Sequence, residues 1–271
     1  MSRAPATWLA FGVGLGLCYF GDGTTVHFPR SLLITPQWAE ALIGWTNRTV
    51  ATDEWMLCFS SFTDDARTPA VFHSQCDSYT ATLSVAHNAG GTSSSGTNAG
   101  NYTFGGFGAG SWSKATCCED PRNDCQSRSG YCYDHTASQD FLFGLRMPGR
   151  EGGAGPQRYL PKTGGGIDYQ LVYPDCWPQW GGGYGDLRMG NADGPLGGTG
   201  GVCDQDRTYA GSMNEICGGA SNWGATQLEV WRPACTTCGG HGACDRSTRV
   251  CACDAGYALA NPATCVPDAY M

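Results

Sequence analysis

Apolar and polar positions along the chain alternate mostly with a period of two, and the apolar runs between turn signals are short. Residues 80–86 (TATLSVA) alternate cleanly and read as a strand with one covered face. Residues 55–62 (WMLCFSSF), 167–173 (IDYQLVY) and 225–231 (ATQLEVW) read as further strands. Residues 141–145 (FLFGL) are apolar on both sides, which suits a central strand covered on both faces. Residues 102–112 (YTFGGFGAGSW) form a glycine-rich strand, or a strand pair with bulges, and 180–190 (WGGGYGDLRMG) a glycine-rich turn entering a strand. Helical spacing occurs twice. Thr35-Pro36 opens a helix with Trp38, Ala41, Leu42 and Trp45 on its apolar side, and Thr68-Pro69 opens a second that brings Val71, Phe72, Gln75 and Cys76 together. Residues 88–100, 117–132 and 149–166 read as loops. This pattern predicts a mainly β (α+β) fold: an antiparallel β-sandwich with short peripheral helices, followed by a small disulfide-rich module.

Composition narrows where such a chain works. An apolar run over residues 8–20 follows Met1-Ser2-Arg3, with the small residues Gly21 and Gly23 ahead of Thr24. Residues 1–23 therefore read as a secretory signal peptide, the alternative being a buried N-terminal strand. The run is too short for a membrane span, and no other segment has the ~20 apolar residues that one needs, so no transmembrane segment is expected in the mature chain. Sequons at Asn47 and Asn101 mark glycosylation sites. Sixteen cysteines argue against a reducing compartment. These features together predict an extracellular or secretory-pathway protein. The net charge of −8 argues against nucleic acid and against an anionic membrane surface as partners.

The chain changes character after Pro233. Residues 234–268 hold six cysteines and few large apolar side chains, so they need staples rather than a core. Gly239-Gly240-His241-Gly242-Ala243-Cys244 and Cys251-Ala252-Cys253-Asp254-Ala255-Gly256-Tyr257, with Cys265 beyond, resemble an EGF-like module. The resemblance implies the pairs Cys235–Cys244, Cys238–Cys251 and Cys253–Cys265. The alternative is a zinc site built from Cys235, Cys238, His241, Cys251 and Cys253.

Residues 31–233 carry six blocks whose order resembles the TLDc domain family. They are Trp55-Met-Leu-Cys-Phe-Ser60, Thr68-Pro-Ala-Val-Phe72 running to Asp77, and Phe104 to Ser111-Trp112. Phe141-Leu-Phe-Gly-Leu145, Gly181 to Asp186-Leu187 and Leu228-Glu-Val-Trp231 follow. The cysteine-rich loop 117–132 departs from the family, where a short connection is usual. Familiar TLDc proteins are intracellular and linked to oxidation resistance and to binding the vacuolar proton pump. The resemblance thus implies a fold more firmly than a function.

Candidate chemistry is sparse. There is no Gly-x-Ser-x-Gly elbow, no His-Glu-x-x-His and no Walker loop, so no catalytic residue, metal or cofactor is assigned. The glycine runs at 105–110 and 181–185 serve either as a phosphate cradle or as close approach between sheets. His73 is a packed or surface residue or a base. Asp186 and Glu229 match TLDc blocks and serve as an acid/base or calcium-binding pair, or as acceptors for turn amides. Cys176-Trp177-Pro178-Gln179-Trp180 offers Trp177 and Trp180 for stacking on a glycan or protein. The favoured reading is a secreted, non-enzymatic interaction or adhesion protein; the alternative is an oxidative-stress TLDc protein with a reactive thiol. Cleavage before Thr24 would remove Cys18 and leave fifteen cysteines, an odd number: either one main-domain thiol is free, with Cys58 the expected buried one, or a partner chain takes it, or Cys18 is retained.

Overall fold

A strand whose alternate residues are both apolar can be covered on both faces, and the first sheet of this protein is built that way. The computed structural model describes residues 27–46, 54–64, 67–88, 91–92, 98–99, 102–126, 130–135, 138–146, 155–163, 169–181, 186–190, 196, 201–203, 208–211, 216–217, 222–234, 238, 241–245, 250–261 and 264–268. In chain order the elements are α1 (Pro36–Thr46), β1 (Trp55–Ser60), α2 (Pro69–Cys76), β2 (Thr80–Asn88), β3 (Gly91–Thr92), β4 (Asn98–Ala99), β5 (Tyr102–Ser111) and α3 (Lys114–Glu119). Next come β6 (Asp124–Gln126), β7 (Tyr131–Asp134), β8 (Phe141–Arg146), β9 (Gln157–Tyr159), β10 (Gln170–Val172), β11 (Gln179–Trp180) and β12 (Leu187–Arg188). β13 (Gly201–Cys203), β14 (Asn222–Trp223) and β15 (Gln227–Pro233) complete the two main sheets, and β16 (Gly242–Asp245), β17 (Val250–Cys253), β18 (Tyr257–Asn261) and β19 (Thr264–Pro267) form two terminal hairpins. The first sheet runs β1-β15-β2-β5-β8-β9 and the second β14-β13-β12-β11-β10-β7-β6, antiparallel throughout. The β-rich, disulfide-bonded architecture is the expected one. Among the described residues, no helix is long and apolar enough to cross a membrane.

The outer face of the first sheet carries Leu83, Val85, Phe107, Phe141, Phe143 and Trp231, covered by α1 and by Phe28, Leu33 and Ile34. Its inner face carries Phe59, Ala86, Phe104, Leu142, Leu228 and Val230, which meet Val172, Trp180 and Leu187 of the second sheet. α1 begins at the Thr35-Pro36 signal, and Thr35 Oγ1 accepts from Trp38 N–H at 3.4 Å. Its buried stripe is Ala39, Leu42, Ile43 and Thr46 at i, i+3, i+4 and i+7, one step around from the expected Trp38, Ala41 and Trp45, which flank it half-buried.

Three further departures from the sequence reading share one cause. The loop 117–132 contains helix α3 and strands β6 and β7, so there are three helices among the described residues rather than two. The region 149–166 contributes β9, and β13 and β14 form without a sequence signal. These elements are two to six residues long, below the length at which hydrophobic periodicity is visible. α3 does carry a local signal, because Ser113 Oγ caps it by accepting from Thr116 N–H.

The inner face of β5 is Phe104, Gly106, Gly108 and Gly110. A Cβ on Gly106 would lie 2.6 Å from Trp180 Cε2, one on Gly108 2.1 Å from Gln170 Nε2, and one on Gly110 2.3 Å from Asp134 Oδ2. Alternate glycines therefore let three second-sheet side chains lie directly on the backbone of β5. Close approach between sheets, rather than a phosphate cradle, is what the run at 105–110 provides. We expect Gly106→Ala to destabilise the protein by about 1–3 kcal/mol, because the indole has no room to retreat. Gly44→Ala, where a Cβ meets nothing within 4 Å on exposed α1, should instead stabilise by about 0.5–1 kcal/mol. Urea unfolding of the two variants beside wild type checks both signs.

Candidate functional site

Trp177 and Trp180 lie in the core and do not stack on an external ligand. Trp180 is fully buried; its indole N–H donates to the Phe107 carbonyl at 3.0 Å and its ring rests on Gly106. Trp177 packs against Phe59 and Phe72 and covers Gly190. The physical reason is the neighbouring glycine: a bare backbone is a slot for an indole, and burying that much apolar surface outweighs presenting it.

The two carboxylates are buried and committed to separate tasks. Asp186 Oδ2 accepts from Thr208 N–H at 2.7 Å and Tyr209 N–H at 2.6 Å, and Asp186 N–H donates to the Trp180 carbonyl at 2.8 Å. That turn passes through Gly181 at φ +85°, where a Cβ would meet Asp186 N at 2.7 Å. Glu229 sits on the opposite, outer side of the first sheet. Its Oε1 accepts from Leu32 N–H at 2.8 Å, and its Oε2 from Ser31 Oγ–H at 2.5 Å and Trp231 Nε1–H at 3.1 Å. Ser31 Oγ in turn accepts from the Leu33 and Ile34 amides. Glu229 thus fastens the segment that covers the outer core. The pair shares no cleft, which removes acid/base or calcium chemistry between them.

The cysteines correct one expectation and support another. Cys58 bonds Cys76, joining β1 to the end of α2, so it is not the odd thiol. Cys117–Cys132, Cys118–Cys125 and Cys203–Cys217 are the other main-domain pairs described. Consecutive residues of α3 point about 100° apart, so Cys117 and Cys118 reach different strands. Cys176 is the main-domain cysteine outside these pairs; it is buried, with Sγ 3.9 Å from Asp175 Oδ1. In the terminal module Cys238–Cys251 and Cys253–Cys265 are disulfides, which removes the zinc alternative. Cys235 of the expected pair Cys235–Cys244 lies outside the described residues, as do Asn47, Asn101 and the leader 1–23.

His73 is packed and bridging. Its Nδ1 lies 2.6 Å from Asp77 Oδ1 and its Nε2 2.8 Å from the Cys176 carbonyl. Both partners are acceptors, so both bonds form together when each ring nitrogen carries a hydrogen. The ring has no open side for substrate. On the surface, the Arg122 guanidinium beside Asp120 holds that carboxyl down at about 2.

The outward face of the second sheet is where half-exposed aromatic side chains gather. β7 alternates half-buried Tyr131 and Tyr133 with buried Cys132 and Asp134. Tyr131 meets Tyr133 and Tyr173 at ring-centroid distances of 5.1 Å, and His135 stacks on Tyr133 at 6.3 Å. Leu171, opposite Tyr133 in the register, is buried on the same face. Burial raises the Tyr173 phenol, with the nearby Cys176 and Tyr131 adding to the shift, so it stays a neutral hydroxyl donor at neutral pH. The signal was present in the sequence as Tyr-Cys-Tyr-Asp-His (131–135), a period-two aromatic stripe that begins in the stretch 117–132 read as loop and runs past its end.

Glu229→Gln keeps the shape but puts a donor amide in place of one of the two oxygens that together accept from three donors. We expect a loss of about 1–3 kcal/mol and faster hydrogen exchange at the Leu32 and Ile34 amides, with β7 and β10 unaffected.

Set beside known proteins, the chain matches no protein-family model and no curated protein sequence.

Proposed function

We propose that this is an extracellular, non-enzymatic binding protein in which a TLDc-like sandwich and an EGF-like module carry a ligand surface on the second sheet. The observation that carries the reading is the ladder of Tyr131, Tyr133, Tyr173 and His135, half-exposed side by side on one rigid sheet face. Tyrosine supplies a flat apolar ring with a hydroxyl at its edge, the chemistry of protein hot spots and of sugar faces alike. Two paired antiparallel strands, β7 and β10, fix the ring spacing, so little order is lost on binding. The six disulfides among the described residues suit an oxidising compartment.

The competing readings receive less support. A reactive-thiol function needs an accessible cysteine, and Cys176 is buried. A hydrolase needs its two carboxylates together, and Asp186 and Glu229 stand on different layers with their oxygens engaged by backbone amides.

The full chain, secreted from a eukaryotic host, should capture a ligand from a glycan array or from a panel of extracellular proteins. Tyr131→Ala with Tyr133→Ala should weaken that binding at least about tenfold while leaving the melting temperature within a few degrees. Absence of any ligand on both panels, or binding indifferent to the double substitution, refutes the proposed surface.

A further inference from the structure

We propose that the Cys118–Cys125 disulfide is a site of thiol–disulfide exchange, and that its reduction frees β6 and so regulates the tyrosine surface of the second sheet. The regulatory half of this inference rests on the ladder being a ligand surface. Cys125 is exposed and Cys118 half-buried. In every other disulfide among the described residues at least one cysteine is buried. A reductant's thiolate must reach a sulfur to attack it, so access orders the bonds by the ease with which they open. Cys118–Cys125 stands first in that order.

Two adjacent cysteines of α3 are bolted to one cross-strand pair. Cys125 stands opposite Cys132 in the β6–β7 register; Cys117 holds Cys132, and Cys118 holds Cys125. Cys117 and Cys132 are both buried, so that bond keeps α3 on β7 when its neighbour opens. β6 is three residues long and forms one edge of the second sheet, with β7 as its one partner strand there. Once Cys118 and Cys125 part, β6 keeps that pairing and the tie at Asn123, whose Oδ1 accepts from His135 N–H at 2.9 Å and whose Nδ2 donates to the Cys117 carbonyl at 3.0 Å. So short a strand does not stay paired by itself. β7 then becomes the edge, and Tyr131 and Tyr133 lose their cross-strand neighbours Gln126 and Asp124.

The exchange balances as a two-electron reduction by an external dithiol. One thiolate of the dithiol attacks Sγ of Cys125, the more exposed of the two; the S–S bond breaks and Cys118 leaves as a thiolate. The second thiolate of the dithiol then closes on its own partner sulfur in the mixed disulfide and expels the Cys125 thiolate. The dithiol departs as a disulfide, and the two protons it gave up reach Cys118 and Cys125 through solvent.

The test uses the full native chain under graded dithiothreitol, with new thiols trapped by iodoacetamide and mapped by peptide mass spectrometry. Cys118 and Cys125 should be labelled before the cysteines of the five other described pairs. In the protein reduced at that pair alone, amide hydrogen exchange over β6 and β7 should rise at least about tenfold, while β1 and β2 stay as in the oxidised protein. Cys118→Ser with Cys125→Ser should exchange like the reduced protein. Labelling of another described pair first, or exchange over β6 and β7 unchanged after reduction, overturns the proposal, and both readouts come from wild type if the double variant fails to fold. Binding of the ligand that the tyrosine surface captures should weaken severalfold on this reduction; equal affinity in both forms overturns the regulation. Failure of the ladder reading shows differently, as binding indifferent to Tyr131→Ala with Tyr133→Ala, and the labelling order and the exchange still decide whether the bond opens and frees β6.

Discussion

The fold depends on how closely the two sheets approach at β5. Strands packed face to face normally stand about 10 Å apart, a gap filled by side chains from both sides. Here one side of the gap is bare over three positions, Gly106, Gly108 and Gly110, and the facing sheet fills it with Trp180, Gln170 and Asp134. The same device recurs where Gly190 receives Trp177 and Gly201 receives Trp223. Indoles seated on glycine give the inner core large buried apolar area without matching bulk on both strands. Glycine weakens a strand by itself, so β5 survives because it lies at the centre of the sheet between β2 and β8 and is paired along both edges.

The second sheet needs different support. Its strands are two to four residues long, and such strands do not hold a sheet by pairing alone. Cys117–Cys132 ties α3 to β7, Cys118–Cys125 ties it to β6, and Cys203–Cys217 anchors β13. Each closes a short loop and so reduces the freedom of the unfolded chain by a few kcal/mol. The terminal module extends the same logic, since its buried side chains are mostly the cystines themselves. Forming these disulfides requires oxidising conditions, which are therefore a condition of the fold.

These supports decide which side chains are left for function. The tryptophans that look like ligand platforms in the sequence are consumed by the core, and the acids that resemble an active pair are consumed by turn and cover-segment amides. What remains outward on the second sheet is the tyrosine ladder, half-buried and held by contacts among its own rings. The polar groups buried between the sheets, Gln170 and Asp134 among them, are the counterpart of close approach: the glycines of β5 admit a tryptophan at Gly106, an amide at Gly108 and an acid at Gly110.

Much of this was legible beforehand. Thr35-Pro36 and Thr68-Pro69 mark both longer helices, because a proline at the first helical position acts through local geometry alone. The first-sheet strands other than the three-residue β9 are readable because they are long enough for a period of two and covered on both faces. Of the second sheet, β10 and β12 fall within segments read as strand, whereas β6, β7, β13 and β14 do not, since they are strands only by virtue of their neighbours and staples. Composition and cysteine number determined the architecture's class and its chemical needs. Which face each tryptophan, carboxylate and cysteine occupies was decided only in three dimensions. Burial of Trp180, engagement of Glu229 by Ser31 and Leu32, and bonding of Cys58 to Cys76 all join residues far apart in the chain, and sequence spacing carries no information about partners of that kind.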